Sequence, residues 1–295
     1  MKTRFDKIYL EITNACNLSC SFCGLTRRTE AFMTEERFAL ALDRLEGYAP
    51  VLYFHLMGEP LLHPLLPVFL DRAGERGFSV RLTTNATLLP ARLSDLSGKK
   101  GLERVNLSVQ SMERVPEGER LTLMRELSDS VRALVASQRA VRPSFLASFR
   151  LWTRDDADFT LPLLDFLARE FRAEGSPPEL VRGRNGYPLA PGIAIHAADT
   201  FDWPRSPPLY AEAGAGFCRG LRDQIGVLAD GTVVPCCLDR NGDIALGNLF
   251  DSPLDAILSA PRAKALYDGF TARRTVEPLC AGCTYRERFT ARGKR

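Results

Sequence analysis

Hydrophobic and polar residues follow two different periods along the first two thirds of the chain. Period-two alternation, or a short apolar run, predicts strands over residues 7–13, 51–57, 79–85, 104–111, 144–152 and 193–196. Apolar residues that recur every three or four positions predict a helix that begins after Thr34, then helices over residues 65–76, 119–141 and 161–173. Such alternation of strands and helices is typical of a parallel sheet with crossover helices. We therefore expect an α/β fold.

The pattern changes in the last third of the chain. Residues 225–229 and 232–236 alternate like strands around Asp230-Gly231, a pair that suits the tight turn of a β-hairpin. A helix is predicted over residues 252–266 from its apolar spacing. This part of the chain therefore predicts a small hairpin-and-helix domain.

Stretches rich in proline and glycine separate the two patterns. They predict a loop over residues 175–192 and a linker over residues 204–216. The sequence thus predicts two domains, which cover residues 1–205 and residues 206–295.

Composition limits the classes of protein to which the chain can belong. Its 295 residues are 45% hydrophobic, which suits a sizeable core, and no apolar run is long enough to span a membrane. The net charge of +3, from 39 basic and 36 acidic residues, is too small to indicate nucleic-acid binding. Eight cysteines without a secretory signal indicate a cytoplasmic, metal-binding protein rather than a disulfide framework. We expect neither nucleic acid nor membrane among its partners.

Three cysteines stand close together directly after the first predicted strand. Cys16, Cys20 and Cys23 follow a C-x3-C-x2-C spacing. Three thiolates on one short loop can hold three irons of an iron–sulfur cube and leave the fourth iron open to another ligand. Zinc is the alternative, but structural zinc takes four protein ligands, and no fourth donor lies near this loop in sequence. The spacing therefore favours a cluster with one reactive iron.

Polar groups also follow the next three predicted strands. Gly58-Glu59-Pro60 comes after the second strand, Thr84-Asn85 ends the third, and Ser108 lies near the end of the fourth. In parallel sheets and barrels, reactive groups gather at the carboxyl ends of the strands. A glycine followed by a carboxylate lets a ligand approach the backbone and offers an acceptor to an ammonium group. Each signal is weak alone, but their order behind the cysteine loop predicts one binding site.

These residues together resemble the radical S-adenosylmethionine (SAM) enzymes, and the resemblance covers residues 7–150. It implies a partial, TIM-like (β/α)6 barrel and a [4Fe–4S] cluster on Cys16, Cys20 and Cys23, with SAM on the open iron. In this family, one electron from the reduced cluster cleaves SAM to methionine and a 5′-deoxyadenosyl radical. That radical takes a hydrogen atom from the substrate.

The same resemblance implies which residues bind SAM. Phe22 would lie near the adenine, and the Gly58-Glu59-Pro60 turn would bind SAM through a carboxylate on its ammonium group. Asn85 or Ser108 would bind the ribose. Arg150, on the fifth predicted strand, suits a bidentate contact with the SAM carboxylate, or else lies at the surface.

A second group of cysteines lies in the last third of the chain. Its members are Cys218, Cys236, Cys237, Cys280 and Cys283. Four thiolates can ligate a second cube or a zinc ion. The spacing favours Cys218, Cys236, Cys280 and Cys283 as these ligands, with Cys237 as a neighbour. Behind a radical SAM body, the region resembles the twitch form of the SPASM extension. That resemblance implies one auxiliary [4Fe–4S] cluster, held in a small C-terminal β-hairpin and helix domain.

The layout is similar to that of twitch-bearing dehydrogenases of this family, which oxidise a secondary alcohol and pass an electron to the auxiliary cluster. It implies a small-molecule substrate, contacted by Arg184 in the loop before the last barrel strand, and an electron donor such as flavodoxin or ferredoxin. His196, at the end of the sixth predicted strand, is a further candidate contact. The main alternative is a maturase that modifies a peptide or protein. Such enzymes often carry a leader-binding module, and only six residues precede the first predicted strand. A non-catalytic zinc protein is a third possibility.

Overall fold

The computed structural model describes residues 4–153, 157–174, 186–199, 201–204 and 216–290. These residues form two compact units. The first contains the described residues of Met1–Ala15, Gly24–Gly58 and Phe201–Arg295, and the second contains those of Cys16–Cys23 and Glu59–Thr200. The predicted domain boundary at residues 205 and 206 and most of the predicted linker lie outside the described residues. The boundary therefore stays a prediction.

Strands and helices alternate as the sequence predicts. The described strands are β1 (Lys7–Leu10), β2 (Val51–Phe54), β3 (Ser79–Thr84), β4 (Leu102–Ser108), β5 (Leu146–Thr153), β6 (Tyr187–Ala190), β7 (Ile193–Asp199), β8 (Gln224–Val227), β9 (Thr232–Val234) and β10 (Gly247–Asn248). The described α-helices are α1 (Glu35–Leu45), α2 (Leu66–Glu75), α3 (Leu89–Leu96), α4 (Glu117–Val141), α5 (Ala157–Glu170), α6 (Leu254–Ser259), α7 (Pro261–Thr271), α8 (Pro278–Ala281) and α9 (Glu287–Thr290). None of these helices is long and apolar enough to cross a membrane.

The first unit contains a mixed sheet in which β1 lies between β2 and β8 and runs parallel to both. The hairpin predicted around Asp230-Gly231 is present, because β8 and β9 pair antiparallel. The pair β9–β10 extends the sheet in the same antiparallel manner. The two residues of β10 carry no alternating pattern, so the sequence did not predict them as a strand.

The second unit contains four parallel strands in the order β3, β4, β5 and β7, with β6 antiparallel at the edge beside β7. One face of these strands is apolar and buried, through residues such as Leu82, Leu107 and Phe149. The α/β class and the parallel strands expected of a partial (β/α)6 barrel are therefore confirmed.

Helix α1 shows how local sequence determines an element. The Thr34 side chain accepts a hydrogen bond from the Arg37 amide and caps the first turn, which carries two glutamates. Phe38 and Leu42 recur at helical spacing and are buried. The Phe38 ring meets Phe54 of β2 edge-on, with ring centroids 5.7 Å apart. The apolar stripe predicted from the sequence is therefore the buried face of this helix.

Several predicted elements differ from the structure for identifiable reasons. The helix predicted over residues 252–266 is two helices, because Pro261 starts α7 and its ring excludes the continuous backbone hydrogen bonding of a single helix. The predicted loop over residues 175–192 contains β6, whose Pro188 lies in an edge strand where proline is tolerated. Helix α3 is absent from the predictions, and the fourth strand ends at Ser108 rather than at residue 111.

Candidate functional site

The loop of residues 16–23 in the second unit is anchored by the residues that follow β3. Asn85 Nδ2 donates a hydrogen bond to Asn17 Oδ1 at 2.8 Å and lies 3.9 Å from Cys16 Sγ. Asn17 Nδ2 in turn donates to Thr87 Oγ1 at 3.0 Å. The structure therefore brings predicted Asn85 next to the first cysteine of the loop.

Two residues that the sequence analysis did not single out hold the far half of this loop. Glu113 accepts hydrogen bonds from the Ser21 amide at 2.5 Å and from the Ser21 hydroxyl at 2.8 Å. The Phe22 ring meets Trp152 edge-on, with centroids 4.9 Å apart. Both partners lie just at or beyond the ends of parallel strands, β4 for Glu113 and β5 for Trp152. Their position near the ends of predicted strands is the feature of the sequence that could have identified them as site residues.

The three thiols of this loop differ in exposure. Cys16 is exposed, whereas Cys20 and Cys23 are half-buried. Burial raises the pKa of the Cys20 thiol to about 12, and the neighbouring Cys23 thiolate adds to the shift. Burial also raises the pKa of Cys16. The loop therefore releases protons when a metal centre binds its thiolates.

Glu59 is buried in the second unit and joins its turn to the end of β3. Its Oε1 accepts hydrogen bonds from the Leu61 amide at 2.9 Å and from Thr84 Oγ1 at 2.7 Å, and its Oε2 accepts one from the Asn85 amide at 2.6 Å. Burial raises the pKa of this carboxyl to about 7, although the three hydrogen bonds oppose that shift. Glu59 thus positions Asn85, and its predicted contact with the SAM ammonium stays a prediction.

Gly58 packs directly on the backbone that leads into the cysteine loop. Its φ is +80°, and a Cβ atom there would lie 2.5 Å from the Thr13 carbonyl oxygen and 2.8 Å from that of Ala15. Only glycine tolerates both this conformation and this approach. Pro60 then begins a short 3-10 helix, Pro60–Leu62. The backbone conformation of this turn therefore requires glycine at position 58, and Pro60 suits the start of the short helix.

Three predicted residues share one rung of the sheet in the second unit. Ser108 of β4 pairs with Arg150 of β5, which pairs with His196 of β7. His196 Nδ1 also hydrogen-bonds Ser148 Oγ at 2.7 Å. All of these except Ser148 are half-buried. Arg184, the predicted substrate contact, lies outside the described residues.

The five C-terminal cysteines line one cavity of about 270 Å³ in the first unit. Burial raises the pKa of Cys218, Cys280 and Cys283. Neighbouring cysteine thiolates add to the shifts at Cys280 and Cys283, which indicates that these sulfurs lie close enough to interact. The structure therefore groups cysteines that are separated by up to 65 residues in sequence, from Cys218 to Cys283.

Cys236 and Cys237 have different surroundings in this cavity. Burial, and then the thiolates of Cys237, Cys218 and Cys280, raise the pKa of Cys236 well above its ordinary value. Burial raises the pKa of Cys237 to about 11, while a hydrogen bond from the Tyr9 hydroxyl and the charge of Lys7 lower it. Cys236 therefore faces other cysteines, and Cys237 is held by Tyr9.

Both cysteine sets suit an iron–sulfur cluster by the chemistry of their donors. All eight cysteines are free thiols, and thiolates are the usual ligands of such clusters.

Two parts of the chain match known families. Residues 10–141 match the Radical SAM superfamily, and residues 218–284 match SPASM, an iron–sulfur cluster-binding domain. The first match contains the cysteine loop and the ends of β2, β3 and β4, and the second contains all five C-terminal cysteines. A radical SAM domain uses SAM and a [4Fe–4S] cluster, and a SPASM domain binds auxiliary iron–sulfur clusters. The predicted cofactors are therefore confirmed, and the zinc alternative is not supported.

Individual proteins resemble the chain over different lengths. A tungsten-containing aldehyde ferredoxin oxidoreductase cofactor-modifying protein of Pyrococcus furiosus is 32% identical over 106 residues, 35% of this chain and 30% of the relative. The chain therefore spans about a third of this curated relative's length. BtrN in complex with AdoMet and 2-DOIA has a TM-score of 0.50 at 17% identity and covers 96% of this chain and 94% of its own. Streptococcus suis SuiB bound to precursor peptide SuiA has a TM-score of 0.61 at 13% identity and covers 99% of this chain and 74% of its own. Both structures share the fold.

Proposed function

The chain belongs to the radical SAM superfamily and carries an iron–sulfur cluster-binding domain, and on this premise we propose that it cleaves SAM reductively to oxidise a small molecule. The observation that carries the proposal is the anchored loop of Cys16, Cys20 and Cys23 beside Asn85. When bound, the cluster and SAM supply a 5′-deoxyadenosyl radical that takes a hydrogen atom from the substrate.

The residues of the second unit hold and orient SAM in this proposal. Cys16, Cys20 and Cys23 ligate the cluster that binds it. Glu59, in the turn that follows Gly58, offers a carboxylate to its ammonium group. Asn85 and Ser108 offer hydrogen bonds to a ribose. Arg150 offers a fork of donors to a carboxylate. Phe22, packed on Trp152, presents a ring to an adenine.

The cysteines of the first unit support oxidation rather than another radical reaction. Cys218, Cys236, Cys280 and Cys283 give four thiolates, enough to ligate a cluster fully and leave no iron for substrate. A fully ligated cluster suits electron transfer, and oxidation of an alcohol to a carbonyl removes one hydrogen atom, one proton and one electron. Flavodoxin or ferredoxin is the proposed donor of the electron that cleaves SAM. Arg184 is proposed to contact the substrate.

A maturase acting on a peptide or protein is the second candidate. The observation that favours it is the shared fold with SuiB, which was solved with a precursor peptide. Both candidates require the same SAM chemistry, so they differ only in the substrate.

The test separates SAM cleavage from substrate choice. Reconstituted wild type and the Cys16→Ala/Cys20→Ala/Cys23→Ala variant are incubated anaerobically with SAM and dithionite, and 5′-deoxyadenosine is measured. Wild type should form it and the variant should not; formation by both would overturn the proposal. Carbon-deuterated polyols and amino alcohols are then compared with deuterated peptides. Deuterium in 5′-deoxyadenosine from an alcohol, with a product two hydrogens lighter, supports the dehydrogenase, whereas transfer only from a peptide supports the maturase.

A further inference from the structure

A largely buried ion pair, Glu11–Arg28, lies where β1 ends in the first unit. Glu11 has a side chain that is 0% exposed, and Arg28 has one that is 13% exposed. The guanidinium donates two parallel hydrogen bonds, from Nη1 to Oε1 and from Nη2 to Oε2, each 2.7 Å long. This bidentate arrangement is the strongest and most directional form of such a pair.

Both side chains also form hydrogen bonds with backbone groups from distant segments. Glu11 Oε2 also accepts from the Met57 amide at 3.0 Å, and its Oε1 accepts from the Ala229 amide at 3.1 Å. Arg28 Nε donates to the Arg240 carbonyl oxygen at 2.9 Å. The pair therefore joins five stretches of chain, and it has extra hydrogen bonds of the kind that a buried ion pair needs to offset its desolvation.

Three of these stretches lie close in sequence to cysteines or to Gly58 of the proposed sites. Met57 precedes Gly58, which packs on the backbone just before the cysteine loop. Arg28 follows that loop, and Arg240 follows Cys237 by three residues. A pair of apolar side chains would fill the same volume without aligning backbone groups. The directional bonds instead fix where Met57 and Ala229 lie relative to the end of β1.

We propose that Glu11 and Arg28 are positioning residues for SAM binding. They hold the Gly58 turn, and the two ends of the Cys16–Cys23 loop, in the arrangement that binds SAM. They do so by tying these segments to the hairpin and to the loop after Cys237. This inference rests on the proposed function, because it requires that the cysteine loop and the Gly58 turn bind SAM.

The test compares Glu11→Gln with Glu103→Gln. Glu103 pairs with Arg81 at 2.7 Å in the second unit, so its variant also removes a carboxylate from an arginine, but away from these segments. Reconstituted proteins are assayed for equilibrium SAM binding and for the change that SAM causes in the electron paramagnetic resonance spectrum of the reduced cluster. Hydrogen exchange of the Met57 and Ala229 amides is followed in parallel.

Glu11→Gln should weaken SAM binding at least about tenfold, equal to about 1.4 kcal/mol, and speed exchange at both amides. Glu103→Gln should bind SAM like wild type. If Glu11→Gln lowers only the unfolding temperature and leaves SAM affinity and the spectral change intact, the pair is a structural contact and the proposal is overturned. Arg28→Lys keeps the charge without the fork and serves if Glu11→Gln does not fold. It should weaken SAM binding too, and wild-type affinity in Arg28→Lys would equally overturn the proposal.

The proposed function can fail separately. If the Cys16→Ala/Cys20→Ala/Cys23→Ala variant binds SAM as wild type does, the loop is not the SAM site. If that variant loses SAM binding while Glu11→Gln retains it, only the positioning role fails.

Discussion

Replacing Gly58 with alanine tests the close approach between its turn and the backbone before the cysteine loop. The alanine must adopt a φ near +80°, and its Cβ would lie 2.5 Å from the Thr13 carbonyl oxygen. The left-handed conformation costs about 1–2 kcal/mol, and forcing a methyl group against fixed backbone adds about 1–3 kcal/mol. The stiffer unfolded chain offsets about 0.4–1 kcal/mol of this cost, so we expect Gly58→Ala to lower the free energy of unfolding by about 1–5 kcal/mol.

Gly77→Ala is the matched control. Gly77 has a φ of +79°, but a Cβ there meets nothing within 4 Å. It therefore carries the conformational cost alone, about 1–2 kcal/mol, less about 0.4–1 kcal/mol for the stiffer unfolded chain. The difference between the two variants isolates the close contact.

Thermal and denaturant unfolding of both variants measure this difference, under anaerobic conditions and beside wild type. For a chain of this length, 1 kcal/mol shifts the midpoint by about 2 °C, so Gly58→Ala should melt about 2–10 °C below wild type. Because the turn is proposed to bind SAM, Gly58→Ala should also weaken SAM binding, whereas Gly77→Ala should not. Equal destabilisation by the two substitutions would refute the close-approach argument.

Three further predictions address the thiols and their supports. Glu113→Ala removes the carboxylate that accepts hydrogen bonds from the Ser21 amide and hydroxyl. Because hydrogen bonds to a charged group are worth about 1.5–3 kcal/mol, this variant should lose iron to a chelator roughly tenfold faster or more. An unchanged rate of iron loss would contradict this prediction. Burial raises the pKa of Glu59 from 4.5 to about 7, so the folded chain binds this proton more tightly than the unfolded chain. The free energy of unfolding should therefore fall by about 3 kcal/mol as pH rises from about 4.5 to about 7, and Glu59→Gln should remove that slope in denaturant titrations. Cys236→Ala should lose about half of the iron after reconstitution and Cys237→Ala should keep it, and the reverse result would exchange their roles.

The fold could be predicted where periodicity was strong and failed where it was weak. Helix α1 and the strands β1 to β5 follow from spacing alone, because their buried faces determine the pattern. The prediction of one helix over residues 252–266 missed the break before Pro261. Proline is common at the first position of a helix, so Pro261 could have indicated that a second helix begins there. The strand β6 lay inside a segment that looked like a loop because of its proline and glycine content.

The candidate site could be predicted as far as its chemistry is local in sequence. The cysteine spacing and the Gly58-Glu59-Pro60 turn are contiguous signals. The supports of the loop are not: Glu113 lies 92 residues from Ser21, and its contact follows only from the parallel arrangement of strands. Glu11 looked like the polar member of an alternating strand, and its burial required a partner, Arg28, beyond the cysteine loop. Contacts between residues so far apart in sequence follow from the tertiary fold and cannot be predicted from local sequence patterns.

Iron, sulfide and zinc per chain after anaerobic reconstitution test the central claim most directly. Wild type should contain about eight irons and no stoichiometric zinc, and the Cys16→Ala/Cys20→Ala/Cys23→Ala variant about four irons with no formation of 5′-deoxyadenosine. This result would assign one cluster to each cysteine set and SAM cleavage to the first. Equal iron in both proteins, or 5′-deoxyadenosine from the variant, would contradict the assignment of the SAM-binding cluster to residues 16–23.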